Sequence, residues 1–161
     1  METTNIREIE RSDNHAIETI IKNIFPEFGL PLVGTAYEDP ETTQMFESYQ
    51  GAREVYYVIE ENGIVIGGAG IKPLKDSDET ICELQKMYLK PSARGKGYGK
   101  TMFVKCLNVA KELGYDQCYL ESASVLEAAI YIYEKFGFKQ LNAPLGGTGH
   151  FSCGVWMIKD L

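Results

Sequence analysis

The feature that most constrains the fold is a glycine-rich segment between a strand-like run, Ile81–Leu89, and a helix-like run over 102–113. The segment reads Arg94-Gly95-Lys96-Gly97-Tyr98-Gly99-Lys100-Thr101. Apolar residues in the following run recur at three- and four-residue steps, which is typical of an amphipathic helix. A glycine turn that opens a helix presents backbone N–H groups and the positive end of the helix dipole to an anion. We therefore predict a pyrophosphate site here, with Lys96 and Lys100 adding positive charge.

Two common phosphate-binding motifs fail at single positions of this segment. The nucleotide-triphosphate loop needs a glycine where the chain has Arg94. The dinucleotide fingerprint needs a third glycine where the chain has Lys100. What the chain does contain is Arg94-x-x-Gly97-x-Gly99 between a strand and a helix. In this it resembles the GNAT superfamily of acetyl-CoA-dependent N-acetyltransferases, whose Gln/Arg-x-x-Gly-x-Gly/Ala signature holds the CoA pyrophosphate. The alternative is a structural turn without a ligand.

A second segment, Tyr131–Phe138, is similar to another hallmark of the same family, a helix ending in Tyr-Glu-Lys-x-Gly-Phe. The resemblance implies that Tyr133 lies near the thioester sulfur and protonates the departing thiolate. It also implies that Met87, Tyr88 and Leu89 line the pantetheine arm, and that the residues 94–101 hold the pyrophosphate. One departure is Leu126, which stands where relatives commonly have an asparagine that touches the cofactor.

The chemistry of amine acetylation requires a general base. A lysine-like amine has a pKa near 10.4, so its deprotonation at pH 7 costs about 4–5 kcal/mol. Glu83 is the candidate base, directly or through a water, because many relatives have a carboxylate at this place on the strand. Glu121 and His150 are alternative bases, and His150 is alternatively a substrate contact. Each also has a structural reading: Glu83 as a paired acid, Tyr133 as a core residue, His150 as part of a surface loop.

We expect Glu83, Gln85, Met87 and Leu89 to share one face of their strand if no bulge intervenes. The carboxylate would then lie along the same surface as the cofactor arm, and the backbone around 87–89 could donate an N–H to the oxyanion. Transfer from acetyl-CoA to the amine is then expected to be direct, in a ternary complex, without a covalent enzyme intermediate.

Further strands and helices follow from periodicity and turn signals. The predicted strands besides Ile81–Leu89 are Asn5–Glu10, Val55–Ile59, Ile64–Ile71, Gln117–Glu121, Phe138–Leu141 and Val155–Ile158. Additional helices are predicted after Ser12 or Asp13, over Glu41–Tyr49, and from Ser122 or Ser124 to Gly137. The class is α/β or α+β with a mixed sheet. The resemblance implies a mostly antiparallel, twisted sheet of six to seven strands flanked by about four helices.

Composition bounds the remaining expectations. A chain of 161 residues without an internal linker predicts one domain, 1–161. The net charge of −7 argues against nucleic acid as a partner and suits a cationic amine. The cysteines are widely spaced without a C-x-x-C, which argues against a zinc site and for reduced thiols. We find no leader peptide or membrane-spanning run, and expect a cytoplasmic protein without a metal.

Two classes of function remain open from the sequence. The first is an N-acetyltransferase that acts on a primary amine of a small molecule or peptide. The second is a non-catalytic acyl-CoA-binding or sensing module on the same fold, and a phosphotransferase is a distant third. The resemblance makes a homodimer a reasonable expectation, but the sequence does not identify the acceptor.

Overall fold

The computed structural model describes residues 3–161, which form a seven-stranded sheet and three α-helices within that range. The strands are β1 (Thr4–Glu8), β2 (Val55–Glu61), β3 (Ile64–Pro73), β4 (Ile81–Leu89), β5 (Gln117–Ser122), β6 (Lys139–Leu141) and β7 (Val155–Asp160). The helices are α1 (Asn14–Glu27), α2 (Tyr98–Glu112) and α3 (Glu127–Lys135). The sheet order is β1-β2-β3-β4-β5-β7-β6, and every neighbouring pair is antiparallel except β4 with β5. The predicted mixed, mostly antiparallel sheet is confirmed.

Alternation along the strands divides the core between the two faces of the sheet. In β2, Val55, Tyr57 and Ile59 face the cluster that contains α2 and α3. Tyr56 and Val58 face the opposite cluster, which contains α1. This period-2 pattern means that both faces of the central strands are covered.

The apolar stripe of α1 is buried as predicted, with its four isoleucines at most 4% exposed: Ile17, Ile20, Ile21 and Ile24. The β2–β3 hairpin also forms at Asn62 and Gly63, both with positive φ, as the Asn-Gly signal predicts. Gly114, with φ +87°, follows the end of α2, where a left-handed residue closes a helix.

Two helix predictions were wrong in detail. The predicted helix over Glu41–Tyr49 is instead two 3-10 turns, Pro40–Thr43 and Glu47–Tyr49, because Gln44 between them has non-helical dihedrals (φ −144°, ψ 55°). α3 begins at Glu127, not at Ser122 or Ser124. Ser122 pairs with Val155 as the last residue of β5, and a turn from Ala123 to Leu126 precedes the helix.

No helix in the range 3–161 is both long enough and apolar enough to span a bilayer. Three of the cysteines are buried: Cys82, Cys106 and Cys118. Cys153 is only partly buried.

Candidate active site

The sheet opens where the two parallel strands, β4 and β5, diverge. β4 and β5 pair only from Ile81 and Gln117 to Glu83 and Tyr119. Within residues 3–161, β4 beyond Glu83 therefore has no strand partner on this side. A cavity of about 710 Å³ opens there, between β4, the glycine turn and α3. We call it the β4–β5 cavity, and its volume is in the range of small-molecule sites.

The glycine turn forms one end of the β4–β5 cavity. Gly95 and Gly97 have φ of +76° and +83°, and a Cβ built on either would meet no atom within 4 Å. Gly97 is the N-cap of α2 and offers no capping side chain, so the N–H groups of the first helical turn are left for a ligand. A left-handed backbone, open space and a helix N-terminus together suit an anion such as a diphosphate.

Arg94 lies beside this turn and is already paired. Its guanidinium forms a salt bridge with Glu27, in which Nη2 lies 3.0 Å from Oε1, and it donates to the carbonyl of Leu89 at 3.1 Å. The pairing lowers the pKa of the Glu27 carboxyl, chiefly through the hydrogen bond from Arg94. A diphosphate bound at the turn would have to share or replace Glu27 as the partner of Arg94.

The predicted cofactor contacts fall into two groups. Eight of the eleven line the β4–β5 cavity: Met87, Tyr88, Leu89, Arg94, Gly95, Gly97, Gly99 and Lys100. Three face elsewhere. Tyr98 donates to Glu61 at 2.7 Å, Lys96 lies 3.4 Å from the same carboxylate, and Thr101 donates to the carbonyl of Gly97. A direct cofactor contact of these three side chains stays a prediction.

A β-bulge interrupts β4 at Lys86 and changes which side chains share a face. Gly70 pairs with Gln85 and Gly68 with Tyr88, so Lys86 and Met87 together oppose one residue of β3. Lys86 has φ +46°. Leu84 before the bulge and Met87 and Leu89 after it face one core, whereas Glu83 and Gln85 point to the other side. The expected common face required a strand without a bulge, and with the bulge Glu83 does not share a face with Met87 and Leu89.

A buried tyrosine holds the bulge in place. The Tyr56 hydroxyl donates to the Lys86 carbonyl at 2.7 Å. Its ring crosses β3 so closely that a Cβ at Gly68 would lie 2.5 Å from it, and one at Gly70 would lie 2.6 Å from it. Gly68 and Gly70 of β3 thus leave room for the side chain that supports β4.

Glu83 lies in a small pocket of about 60 Å³ on the other side of β4, which we call the Glu83 pocket. Glu83 is 4% exposed and accepts a hydrogen bond from Gln85 Nε2 at 2.5 Å. Gln85 Oε1 in turn accepts from the Tyr49 hydroxyl at 2.7 Å. Burial, which outweighs the Gln85 hydrogen bond, raises the pKa of the Glu83 carboxyl to about 7. Such a carboxyl is poised to exchange a proton near neutral pH.

His150 belongs to the same pocket and is held by Asp39. Its Nε2 lies 2.7 Å from Asp39 Oδ2, and Lys86 Nζ lies 3.0 Å from the same oxygen. Burial opposes both ionised forms, but the hydrogen bond and mutual attraction prevail, so the pKa of His150 is raised and that of Asp39 is lowered. Because Asp39 holds Nε2, Nδ1 is the ring nitrogen that could act as a base or contact a substrate.

Glu121, the other candidate base, is hydrogen-bonded by two hydroxyl groups. Tyr119 donates to it at 2.8 Å and Thr148 at 2.6 Å. Its Oε1 lies 3.8 Å from His150 Nδ1. Glu121 therefore neighbours the Glu83 pocket, and two of the roughly four acceptor sites of its carboxylate are already used.

Tyr133 lines the β4–β5 cavity from α3 and is 7% exposed. Its ring packs on Phe103 at a centroid distance of 5.4 Å. Burial, with smaller effects from Cys118 and Cys106, raises the pKa of the phenol, so it stays protonated at neutral pH. The cavity and the Glu83 pocket adjoin, because Tyr88, Ser122 and Leu126 line both.

Several site residues were not identified from the sequence. Asp39 and Tyr49, which lie between α1 and β2, had no predicted role in the site. The bulge at Lys86 had a readable signal, since the apolar residues of β4 slip from even to odd positions between Leu84 and Met87. The approach of Cys153 to His150 and Glu121 depends on the loop after β6 and had no such signal.

Comparison with known proteins agrees with this geometry. A model of the acetyltransferase (GNAT) family matches residues 15–138. The chain is 40% identical over 157 residues to the uncharacterized N-acetyltransferase YjgM of Escherichia coli K12, covering 97% of this chain and 94% of that protein. The chain belongs to the acetyltransferase (GNAT) family, and its class is that of acyl-CoA-dependent acetyltransferases.

Solved structures share the fold. A GNAT-family acetyltransferase from Staphylococcus aureus Mu50 superposes with a TM-score of 0.87 at 21% identity, over 98% of this chain and 99% of that one. The structure of yncA from Salmonella typhimurium with its cofactor acetyl-CoA has a TM-score of 0.78 at 21% identity, over 98% of this chain and 94% of that one.

Proposed function

We propose that the protein transfers the acetyl group of acetyl-CoA directly to a primary amine of a small molecule or peptide, with Glu83 as general base and Tyr133 as general acid. The observation that carries the proposal is the junction between two sites. The Glu83 carboxyl, with a pKa of about 7, lies in a pocket that adjoins the β4–β5 cavity. That cavity is lined by the protonated phenol of Tyr133 and ends at the glycine turn.

Binding of the donor is assigned to the β4–β5 cavity. The N–H groups at the start of α2 and Arg94 are expected to hold the diphosphate, and Met87, Tyr88 and Leu89 the pantetheine arm. The unpaired edge of β4 beyond Glu83 supplies backbone groups for that arm. The acetyl-CoA in the yncA structure supports this choice of donor.

The acceptor is assigned to the Glu83 pocket because of its charges. Glu83 and His150 line it, Glu121 and Asp39 lie next to it, and Lys86 is paired with Asp39. Carboxylates favour an amine that arrives as an ammonium ion. A base with a pKa of about 7 takes the proton from such an amine more readily than an ordinary glutamate would, since each unit of pKa difference is worth about 1.4 kcal/mol.

The steps of acetyl transfer are assigned to Glu83, Tyr133 and a backbone N–H of β4. Glu83 removes the proton from the amine, directly or through a water, and the neutral amine attacks the thioester carbonyl. A backbone N–H near the β4 bulge stabilises the oxyanion. As the tetrahedral intermediate collapses, Tyr133 donates its proton to the thiolate that leaves. The nitrogen then loses its second proton, which restores the Tyr133 phenol through solvent. Glu83 returns the first proton to solvent. No covalent enzyme intermediate is needed.

The test is release of free CoA thiol from acetyl-CoA with a panel of amines. With an amine that is a substrate, Glu83→Gln is expected to lower kcat by about 10²- to 10⁴-fold and to remove the rise in kcat/KM through about pH 7. Tyr133→Phe is expected to lower kcat with little change in acetyl-CoA affinity.

Glu121→Gln is the matched control for Glu83→Gln, because Glu121 is the alternative candidate for the base. If the rise in kcat/KM with pH is lost in Glu121→Gln but not in Glu83→Gln, the general base is Glu121. If acetyl-CoA binds but no amine in a broad panel releases thiol, the non-catalytic acyl-CoA-binding function would be favoured instead.

A further inference from the structure

Three chemically different donors meet at the edge of the Glu83 pocket. Glu121 comes from β5, whereas His150 and Cys153 come from the loop between β6 and β7. A carboxylate oxygen, a ring nitrogen and the sulfur lie within 4.8 Å of one another. The fold brings Glu121 to His150 and Cys153, although it is far from them in the sequence.

A second observation concerns the direction of the His150 ring. Asp39 Oδ2 also lies 3.0 Å from the ammonium of Lys86, and a carboxylate paired in this way only accepts hydrogen bonds. Its contact with His150 at 2.7 Å must be a hydrogen bond donated by Nε2. In the neutral ring, Nδ1 then carries the lone pair, and Nδ1 is the atom that faces Glu121 at 3.8 Å. A carboxylate behind a histidine in this way is the usual support of a metal-binding imidazole.

The donor set selects the kind of metal. Imidazole, thiolate and carboxylate are the ligands that Zn²⁺ takes, and three protein ligands leave a fourth position open. Mg²⁺ and Ca²⁺ prefer oxygen ligands alone. The Glu121 side chain is only 3% exposed and that of His150 17%, so a bound ion would be shielded from bulk water.

We propose that Glu121, His150 and Cys153 form a Zn²⁺ site, with Asp39 as the positioning residue for His150 and with the fourth coordination position open toward the Glu83 pocket. The ion would occupy space at the acceptor end of the active site. If the proposed function holds, Zn²⁺ inhibits acetyl transfer by competing with the amine, without displacing acetyl-CoA.

Three features oppose binding and limit its strength. Burial lowers the pKa of His150, but the hydrogen bond and charge of Asp39 raise it further, so Zn²⁺ must compete with a proton for Nδ1. Burial, followed by Glu121, Glu83 and Asp39, raises the pKa of the Cys153 thiol to about 12, and Zn²⁺ must displace that proton. The ammonium of Lys86, 3.0 Å from Asp39, repels a cation. Against this, the same carboxylates that disfavour a thiolate attract a divalent ion, and a coordinating thiol is deprotonated by its metal.

The experiment measures metal binding itself, so its outcome does not depend on acetyl transfer. The chelator-treated protein is titrated with Zn²⁺ against a chromophoric competitor, and with Co²⁺ as a spectroscopic probe. We expect one Zn²⁺ per chain and a thiolate-to-cobalt charge-transfer band. Cys153→Ser is expected to abolish the band, and Cys153→Ser and His150→Ala each to weaken Zn²⁺ binding by at least about 10- to 100-fold.

His15→Ala is the matched control, because His15 is the chain's other histidine and lies exposed on α1. Asp39→Asn should weaken Zn²⁺ binding about 10-fold while retaining the cobalt band. Protection of Cys153 from alkylation by Zn²⁺ in the unmodified protein gives a readout that needs no variant. The proposal is overturned if the unmodified protein shows no cobalt–thiolate band, or if His15→Ala weakens binding as much as His150→Ala.

Discussion

The carboxyl group of Glu83 shows how one side chain is tuned by its surroundings. Glu83 is a buried residue of β4 that accepts a hydrogen bond from the Gln85 amide, and that amide is itself fixed by Tyr49. Burial is the main reason why its pKa rises from 4.5 to about 7. The same property that suits it to proton transfer makes it costly to ionise in the folded protein.

This cost predicts a dependence of stability on pH. Because the pKa of Glu83 is higher in the folded chain, its contribution to folding is fully present below pH 4.5 and is lost as the pH rises through about 7. Glu83→Gln removes the ionisation and keeps an oxygen for Gln85. Between about pH 5 and about pH 8.5, the unfolding free energy of the variant should gain up to roughly 3 kcal/mol relative to the unmodified protein. Urea denaturation at several pH values measures the difference in unfolding free energy between the two proteins. A difference that does not change with pH would contradict the raised pKa of Glu83.

At the scale of single elements, the turn between β4 and α2 depends on backbone conformation more than on side chains. Gly97→Ala places a Cβ on a residue with φ +83°, which costs about 1–2 kcal/mol of stability. It should also weaken acetyl-CoA binding about tenfold or more, because the N–H groups of the first turn of α2 shift. Calorimetric titration with acetyl-CoA measures the affinity.

Gly63→Ala is the control for that substitution. Gly63 has φ +81° and equally open surroundings, but it lies in the β2–β3 hairpin. It should therefore lose similar stability while its affinity for acetyl-CoA is unchanged. Equal losses of affinity in both variants would mean that the turn at Gly97 has no specific role in binding.

The β4 bulge leads to a second prediction about an element. Tyr56→Phe removes the hydrogen bond to the buried carbonyl of Lys86, which should destabilise the fold by about 1–3 kcal/mol. Because the bulge sets the direction of Glu83 relative to Met87, we also expect kcat to fall. Tyr57→Phe, the next residue on β2 but on the opposite face, is the control. An unchanged kcat in Tyr56→Phe would contradict a role of the bulge in catalysis.

The sequence predicted elements better than their relative placement. Periodicity and turn residues located all seven strands and the glycine turn, because these signals are local. Glu83 does not lie on the same face of β4 as Met87 and Leu89, because one extra residue in β4 reverses the alternation of side chains after it. The pairing of Asp39 with His150 joins residues 111 positions apart, and no local pattern encodes such a contact.

At the scale of the whole molecule, the sheet separates two hydrophobic cores. One core supports α2, α3 and the β4–β5 cavity, and the other supports α1 and the loop over the Glu83 pocket. The divergence of β4 from β5 connects the two sides. That residues 1–161 form one domain, and that the protein is cytoplasmic, stay predictions.

The most direct test of the account is a crystal structure of the protein with CoA bound. We expect the diphosphate on the N–H groups between Gly95 and Thr101, and the thiol end in the β4–β5 cavity, next to Tyr133 and facing the Glu83 pocket. A diphosphate bound at any other place, or a thiol directed away from Tyr133, would contradict the proposed site and its mechanism.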